Sequence, residues 1–234
     1  MSPEGVSPRS GPPPGGPSTI TGVKYQMLWC LLRAVQMHVS TVTVDDTRGM
    51  THAGLLLEPR NGGDVQEIGK ATRRVVQLKT RSSGSSWSLR EVVADVLPDL
   101  YRAVDLDKRD SSYDFITEGK MGQWQDVYTF FQSLCRPAPT HNLLDALDDE
   151  QPLRFTRQQT SRQSSHSKSL PLFQSAIAYT QRTMFAEIVR SLREVKAIRD
   201  GESEEQTQRK VWSLLGGFCF RGEHSLASAI PGGR

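Results

Sequence analysis

The 234-residue sequence predicts an α/β fold: a small mixed central β-sheet flanked by helices, with extra helices at the C-terminal end. Apolar residues recur at helical spacing in "TGVKYQMLWCLLRAVQMHV" and again in "SLREVVADVLPDLYRAV". Between these lie short β-rich runs, "AGLLLEP" and "RRVVQLKTR", punctuated by glycine turns. A further strand-like run, "SYDFITEG", follows the second helix, so helices and strands alternate along the chain.

Composition narrows the class. Hydrophobic residues make up 36% and charged residues 24%, which permits a packed core. The net charge of +3 neither demands nor excludes a nucleic-acid partner, so local charge decides. Cys30, Cys135 and Cys219 form no CxxC pair, which argues against a disulfide framework or a zinc site. The five histidines show no HExxH spacing. No phosphate loop of the GxxxxGK[ST] type is present. No apolar run suits a membrane span and no hydrophobic signal core opens the chain, so the expectation is a cytoplasmic protein with no membrane partner.

The elements follow in order. Residues 1–19 are rich in Pro, Gly and Ser and are expected to form a disordered leader. Residues 20–220 are expected to form one domain. Its first helix would be capped by Thr21 and carry an apolar stripe of Val23, Met27, Cys30, Leu31, Ala34 and Val35. "STVTV" reads as a short strand or a helix exit. "AGLLLEP" reads as a strand ended by Pro59, and "RNGG" as a turn. "DVQEIGKATRRVVQLKTR" reads as two strands joined through a glycine. Ser88 and Glu91 have capping-box spacing at the start of the next helix, and Pro98 should interrupt it. "SYDFITEG" is a strand, and "QWQDVYTFFQSLC" a helix with Trp124, Val127, Tyr128, Phe131 and Leu134 on one face. Residues 136–168 read as a polar excursion. A helix over "LPLFQSAIAYTQRTMFAEIVRSLREVKAI" and another over "SEEQTQRKVWSLLGGFCF", ended at Gly216–Gly217, precede a loose tail at 221–234.

Chemistry concentrates between Leu55 and Leu89. Residues two apart on a strand face the same side, so Gln77 and Lys79 project together. Asp64 follows the RNGG turn at the start of the preceding strand, a spacing that can bring it beside them. Alone, Lys79 reads as an edge-strand lysine and Asp64 as a turn residue. Together they match the needs of phosphodiester hydrolysis. A hard divalent cation takes oxygen ligands. Asp64 can supply a carboxylate oxygen, Gln77 an amide oxygen, and Glu58 a second carboxylate. Lys79 can orient water or stabilise developing charge. Arg73, Arg74, Lys79, Arg81 and Arg90 cluster around this strand. Arg74, Arg81, Ser83 and Ser85 are the expected contacts to a DNA backbone, with Gly84 allowing close approach. Trp87 is expected to pack beneath the loop. No base-reading helix is evident, so weak sequence specificity is expected.

"GVKYQ", "LLLEPRNGGDVQ", "VVQLKTR" and "YDFITEG" occur in that order. This set resembles the PD-(D/E)XK restriction-endonuclease-like superfamily, in the QxK form also seen in Mrr-type restriction nucleases. It looks most like the double-strand DNA nuclease domain at the N-terminus of many bacterial anti-phage effectors. The resemblance covers roughly Thr21 to Leu134, and more weakly the helices to about residue 220. It implies a restriction-endonuclease-like core, with the family's metal-binding aspartate at Asp64, its third motif at Gln77 and Lys79, and its first-helix polar residue at Gln26 beside Tyr25. It implies Mg²⁺-dependent cleavage of double-stranded DNA, with Mn²⁺ as a substitute, by a homo-oligomer. A sensor or activator would lie in another domain or chain. Two departures stand out: Gln77 replaces an acid, and Gln26 stands where Glu is common. Fewer carboxylates weaken metal affinity. The alternative is therefore a binding-only or oligomerisation module of the same fold.

Overall fold

The computed structural model describes residues 17–43, 54–69, 72–81, 85–107, 110–134, 138–139, 142–155 and 178–222. Residues 1–16 of the expected leader, 223–234 of the expected tail, Cys135 and the polar run at 156–168 lie outside the described residues, whereas residues 17–19 open the first helix and Arg221 ends the last strand.

The first helix, α1, spans Pro17–Thr43. Thr21 therefore lies inside it and does not cap it, and "STVTV" in part continues the helix. Strands β1 (Gly54–Leu57), β2 (Val65–Ile68) and β3 (Arg73–Lys79) form an antiparallel meander. A short strand β4 (Ser86–Trp87) leads into helices α2 (Leu89–Asp95) and α3 (Leu97–Arg102). Ser88 and Glu91 form the capping box that their spacing predicts. The chain breaks at Val96, ahead of Pro98, whose ring lacks an N–H and clashes with a continuing helix.

The α2–α3 pair is a crossover that returns the chain parallel to β3 as β5 (Ser111–Thr117). Strand β6 (Lys120–Met121) pairs with β4 in a separate two-stranded sheet. Helices α4 (Gln125–Ser133), α5 (Gln181–Glu194) and α6 (Glu204–Gly216) follow, and β7 (Phe218–Arg221) closes the main sheet. The main sheet has the order β1-β2-β3-β5-β7, with β5 and β7 parallel. The architecture is thus mixed α/β, a five-stranded mixed sheet flanked by helices.

Alternation on β3 sets the two layers. Val75 joins the large core with Tyr113, Phe115, Phe218 and the helices α2 to α6. Val76 and Leu78 point the other way, into a smaller core with Tyr25, Val65 and Ile116 under α1.

The apolar stripe expected to bury α1 does not do so. Met27 and Leu31 are 68% and 64% exposed, and Val35 is exposed beside them. Of that stripe only Cys30 faces the sheet, beside Tyr25 and Trp29. Arg33, one turn beyond Trp29, completes that face by binding Glu67 on β2 at 2.7 and 2.8 Å. Ion pairing and two aromatic residues choose the face, and these lie outside a pattern read from aliphatic spacing.

Three further expectations change. The excursion at 136–168 contains a 3₁₀ turn at Leu143–Ala146, with Leu143 and Leu147 buried. The penultimate helix begins at Gln181, capped by Thr180, while Tyr179 bridges Leu153. "FCF" after Gly217 is strand and not helix end, because Tyr113 to Ile116 of β5 offer it a free edge. Among the described residues no helix is long and apolar enough to cross a membrane.

Candidate functional site

The glycine turn places Asp64. Gly62 and Gly63 adopt φ of 102° and 76°, which side-chain-bearing residues rarely do. A Cβ on Gly62 would sit 2.1 Å from the Asp99 carbonyl, and one on Gly63 2.6 Å from Val75 Cγ1. The turn packs this closely on α3 and β3 only with glycine at both positions. The Asp64 N–H donates to the Val76 carbonyl at 2.8 Å, which docks the residue against β3.

Asp64 Oδ2 accepts two hydrogen bonds, from Gln77 Nε2 at 2.8 Å and from the Leu78 backbone N–H at 2.7 Å. A carboxylate only accepts, so the Gln77 amide nitrogen must face it, and this settles the amide's orientation. Gln77 is 2% exposed, and its Oε1 has no hydrogen-bond partner. Buried acceptors without partners are uncommon, because losing water without a replacement bond costs roughly 1–3 kcal/mol. Lys79 shares this side of β3 and is half-buried.

The first helix contributes as expected in position. Gln26 hydrogen-bonds the Asp64 carboxylate. Burial pushes the Asp64 carboxyl above its ordinary value. The Leu78 N–H, the Lys79 ammonium and Gln26 pull it back without cancelling the rise. Tyr25 packs in the small core, and burial with the nearby Glu118 charge pushes its hydroxyl up to about 12. It stays neutral at pH 7 and does not serve as a base. Burial and the Asp64 charge also raise Cys30, which remains a thiol. Glu118, just past Thr117, the β5 partner of Lys79, is an acid near this end of the sheet that sequence reasoning did not single out. It lies in the quoted "YDFITEG", but nothing in its spacing marks it.

Glu58 is exposed, and its backbone N–H donates to the Asp64 carbonyl at 2.8 Å. Among the described residues no group of three or more His, Cys, Asp or Glu is arranged to hold a metal. The Asp64 carboxylate and the unpartnered Gln77 Oε1 are oxygens that could meet a cation.

The arginines expected on a DNA backbone are engaged internally. Arg81 pairs with Glu91, donates to the Ser86 carbonyl and stacks 4.1 Å from the Trp87 ring centre. Arg74 binds Asp114 at 2.5 and 2.9 Å and Glu67 at 2.9 Å. Arg221 joins Asp114 at 2.6 Å, and Arg33 joins Glu67, so one charged ladder runs from α1 across β2, β3, β5 and β7. The acids that claim Arg74 and Arg81 come from other elements, which local charge counting does not reveal. Ser83 lies outside the described residues, and the Ser85 carbonyl accepts from the Lys120 N–H at 3.0 Å. Trp87 is buried as expected, its Nε1 donating to Thr117 Oγ1 at 2.9 Å.

Comparison with known protein families, with curated proteins and with solved structures finds no match.

Proposed function

We propose that this chain is a Mg²⁺-dependent endonuclease that hydrolyses double-stranded DNA with little sequence specificity, in the manner of an anti-phage effector. The observation that carries the reading is the buried, unpartnered Gln77 Oε1 beside the Asp64 carboxylate. A charged carboxylate and a neutral amide oxygen on side chains joined through the Gln77 nitrogen are donors that suit a hard cation, which retains several waters and takes few protein ligands. The mixed sheet flanked by helices is compatible with the restriction-endonuclease-like core that the motif order implies.

The side chains divide the work. When bound, Mg²⁺ would offset phosphoryl charge and lower the pKa of a bound water. Asp64 and Gln77 would hold the cation, and the Gln77 amide is fixed in place by its bond to Asp64. The Leu78 N–H and Gln26 keep the carboxylate oriented. The Lys79 ammonium would donate to a phosphoryl oxygen or to the attacking water.

Nine large apolar side chains are exposed among the described residues, all on α1, β1 and β2. Six of them, Val23, Met27, Leu28, Leu31, Val35 and Val39, lie along α1, and this row supports assembly, as a homo-oligomer or with an activating domain or chain. The second reading is a binding-only module of the same fold, favoured by the absence of a carboxylate cluster among the described residues.

Plasmid incubation with and without Mg²⁺, using wild type, Lys79→Ala and Gln77→Leu, tests the proposal. Cleavage should require the metal. Losing the Lys79 ammonium should slow it by roughly 10²–10³-fold. Retarded but uncut DNA would favour the binding module. Cleavage unchanged in both variants would end the nuclease reading at this site.

A further inference from the structure

A cleft of about 920 Å³ lies on the side of the sheet away from α1, between β2, the α3–β5 connection and α6. Its charge is unusual. Arg73 is 8% exposed, and its guanidinium meets only neutral acceptors: Gln66 Oε1 at 3.3 Å and the Ala103 carbonyl at 2.6 Å. Arg209 also lines the cleft, and its Nε is buried with no hydrogen-bond partner. Arg199 stands at the rim, exposed. None of the three forms an ion pair among the described residues, whereas Arg102 and Lys210 in the same wall are paired with Asp99 and Glu202. Asp105, Asp107 and Glu205 also line the cleft.

A buried cation without a counter-charge is costly, and so is a buried N–H without an acceptor. Both deficits are met by one ligand type: an anion with several acceptor oxygens. Guanidiniums grip phosphate oxygens through paired N–H groups, which carboxylates elsewhere in the wall cannot do. The volume is in the range of small-molecule sites. From these observations we infer that the cleft binds the phosphate group of a small phosphorylated molecule, through Arg73, Arg199 and Arg209. This site is separate from Asp64 and does not rest on the nuclease reading.

Calorimetric titration with inorganic pyrophosphate at fixed ionic strength tests the inference on the full chain. Wild type should bind one equivalent saturably. Arg199→Ala and Arg209→Gln should each weaken the dissociation constant by about tenfold or more. Arg199 is exposed, so its variant should keep the wild-type thermal midpoint and remains informative if Arg209→Gln fails to fold. Absence of saturable binding by wild type, or equal binding by wild type and Arg199→Ala, overturns the inference. A second arm adds a short DNA duplex. If the duplex displaces pyrophosphate and the same variants lose duplex affinity, the cleft is a nucleic-acid contact and the small-molecule assignment falls. Pyrophosphate bound alongside the duplex supports it.

Discussion

Replacing Asp64 by Ala and by Asn separates its two roles. Both changes remove the charge, but only Asn keeps an oxygen where Oδ2 accepts from Gln77 Nε2 and the Leu78 N–H. In the Ala variant both donors lose their acceptor. Each buried donor left unpaired costs about 1–3 kcal/mol, so Ala should be less stable than Asn by about 2–6 kcal/mol. For a domain of this size that is a midpoint lower by at least about 4 °C. The Asn variant has a second expectation. Because burial raises the Asp64 pKa, the folded state holds that proton more tightly than the unfolded state. The ionised carboxylate therefore costs stability above its folded pKa, and the cost shrinks as pH falls from that value to the ordinary aspartate value, below which it is gone. Asn should accordingly unfold no earlier than wild type at neutral pH. Both variants should lose Mg²⁺-dependent cleavage. Calorimetric scans with plasmid assays on the same preparations give all these readouts. Equal midpoints for Ala and Asn would refute the hydrogen-bond argument, and cleavage by the Asn variant would remove Asp64 as a ligand.

The remaining expectations concern neighbouring groups. Gln77→Glu sets a second carboxylate against Asp64, where the Gln77 nitrogen now sits at 2.8 Å. The variant should be destabilised without metal and regain stability with Mg²⁺ more than wild type does, and a midpoint indifferent to Mg²⁺ would contradict a cation between these groups. Cleavage should fall on acidification through a pKa above the ordinary aspartate value, because the ionised Asp64 is the ligand; a pH–rate profile locates that limb. Arg81→Ala should lower stability by about 1–3 kcal/mol through loss of Glu91, the Ser86 carbonyl and the Trp87 stack, while the salt slope of DNA binding stays unchanged. A slope reduced by about one unit would return Arg81 to the phosphate backbone. Arg33→Ala should unlock α1 from Glu67 and speed amide exchange along the helix with little effect on β3.

Local chemistry is what the sequence by itself determined. The 3.6 and 2.0 periods, the Gly62–Gly63 turn, the Ser88–Glu91 capping box and the break before Pro98 each depend on residues a few positions apart. The turn, the capping box and the break appear in the structure where the pattern puts them. The pairing of Asp64 with Gln77 was legible for the same reason. A glycine turn and a tight strand connection leave few registers, and Val65 opposite Val76 brings the two side chains together. Non-local pairing was decided only by the tertiary structure. The short strand β7 exists because β5 presents an edge to it, and β4 and β6 hold each other across the α2–β5 segment. Arg74 and Arg81 look available for phosphate in the sequence because Asp114 and Glu91 are distant or belong to another element. The same holds for the exposed aliphatic row of α1. Hydrophobic spacing marks a face that could be buried, but Tyr25, Trp29 and the Arg33–Glu67 pair set which face meets the sheet. The arginine cleft was invisible for the converse reason. Arg73, Arg199 and Arg209 converge only when β3, the α5–α6 connection and α6 are packed, and their lack of acidic partners is a property of that packing alone.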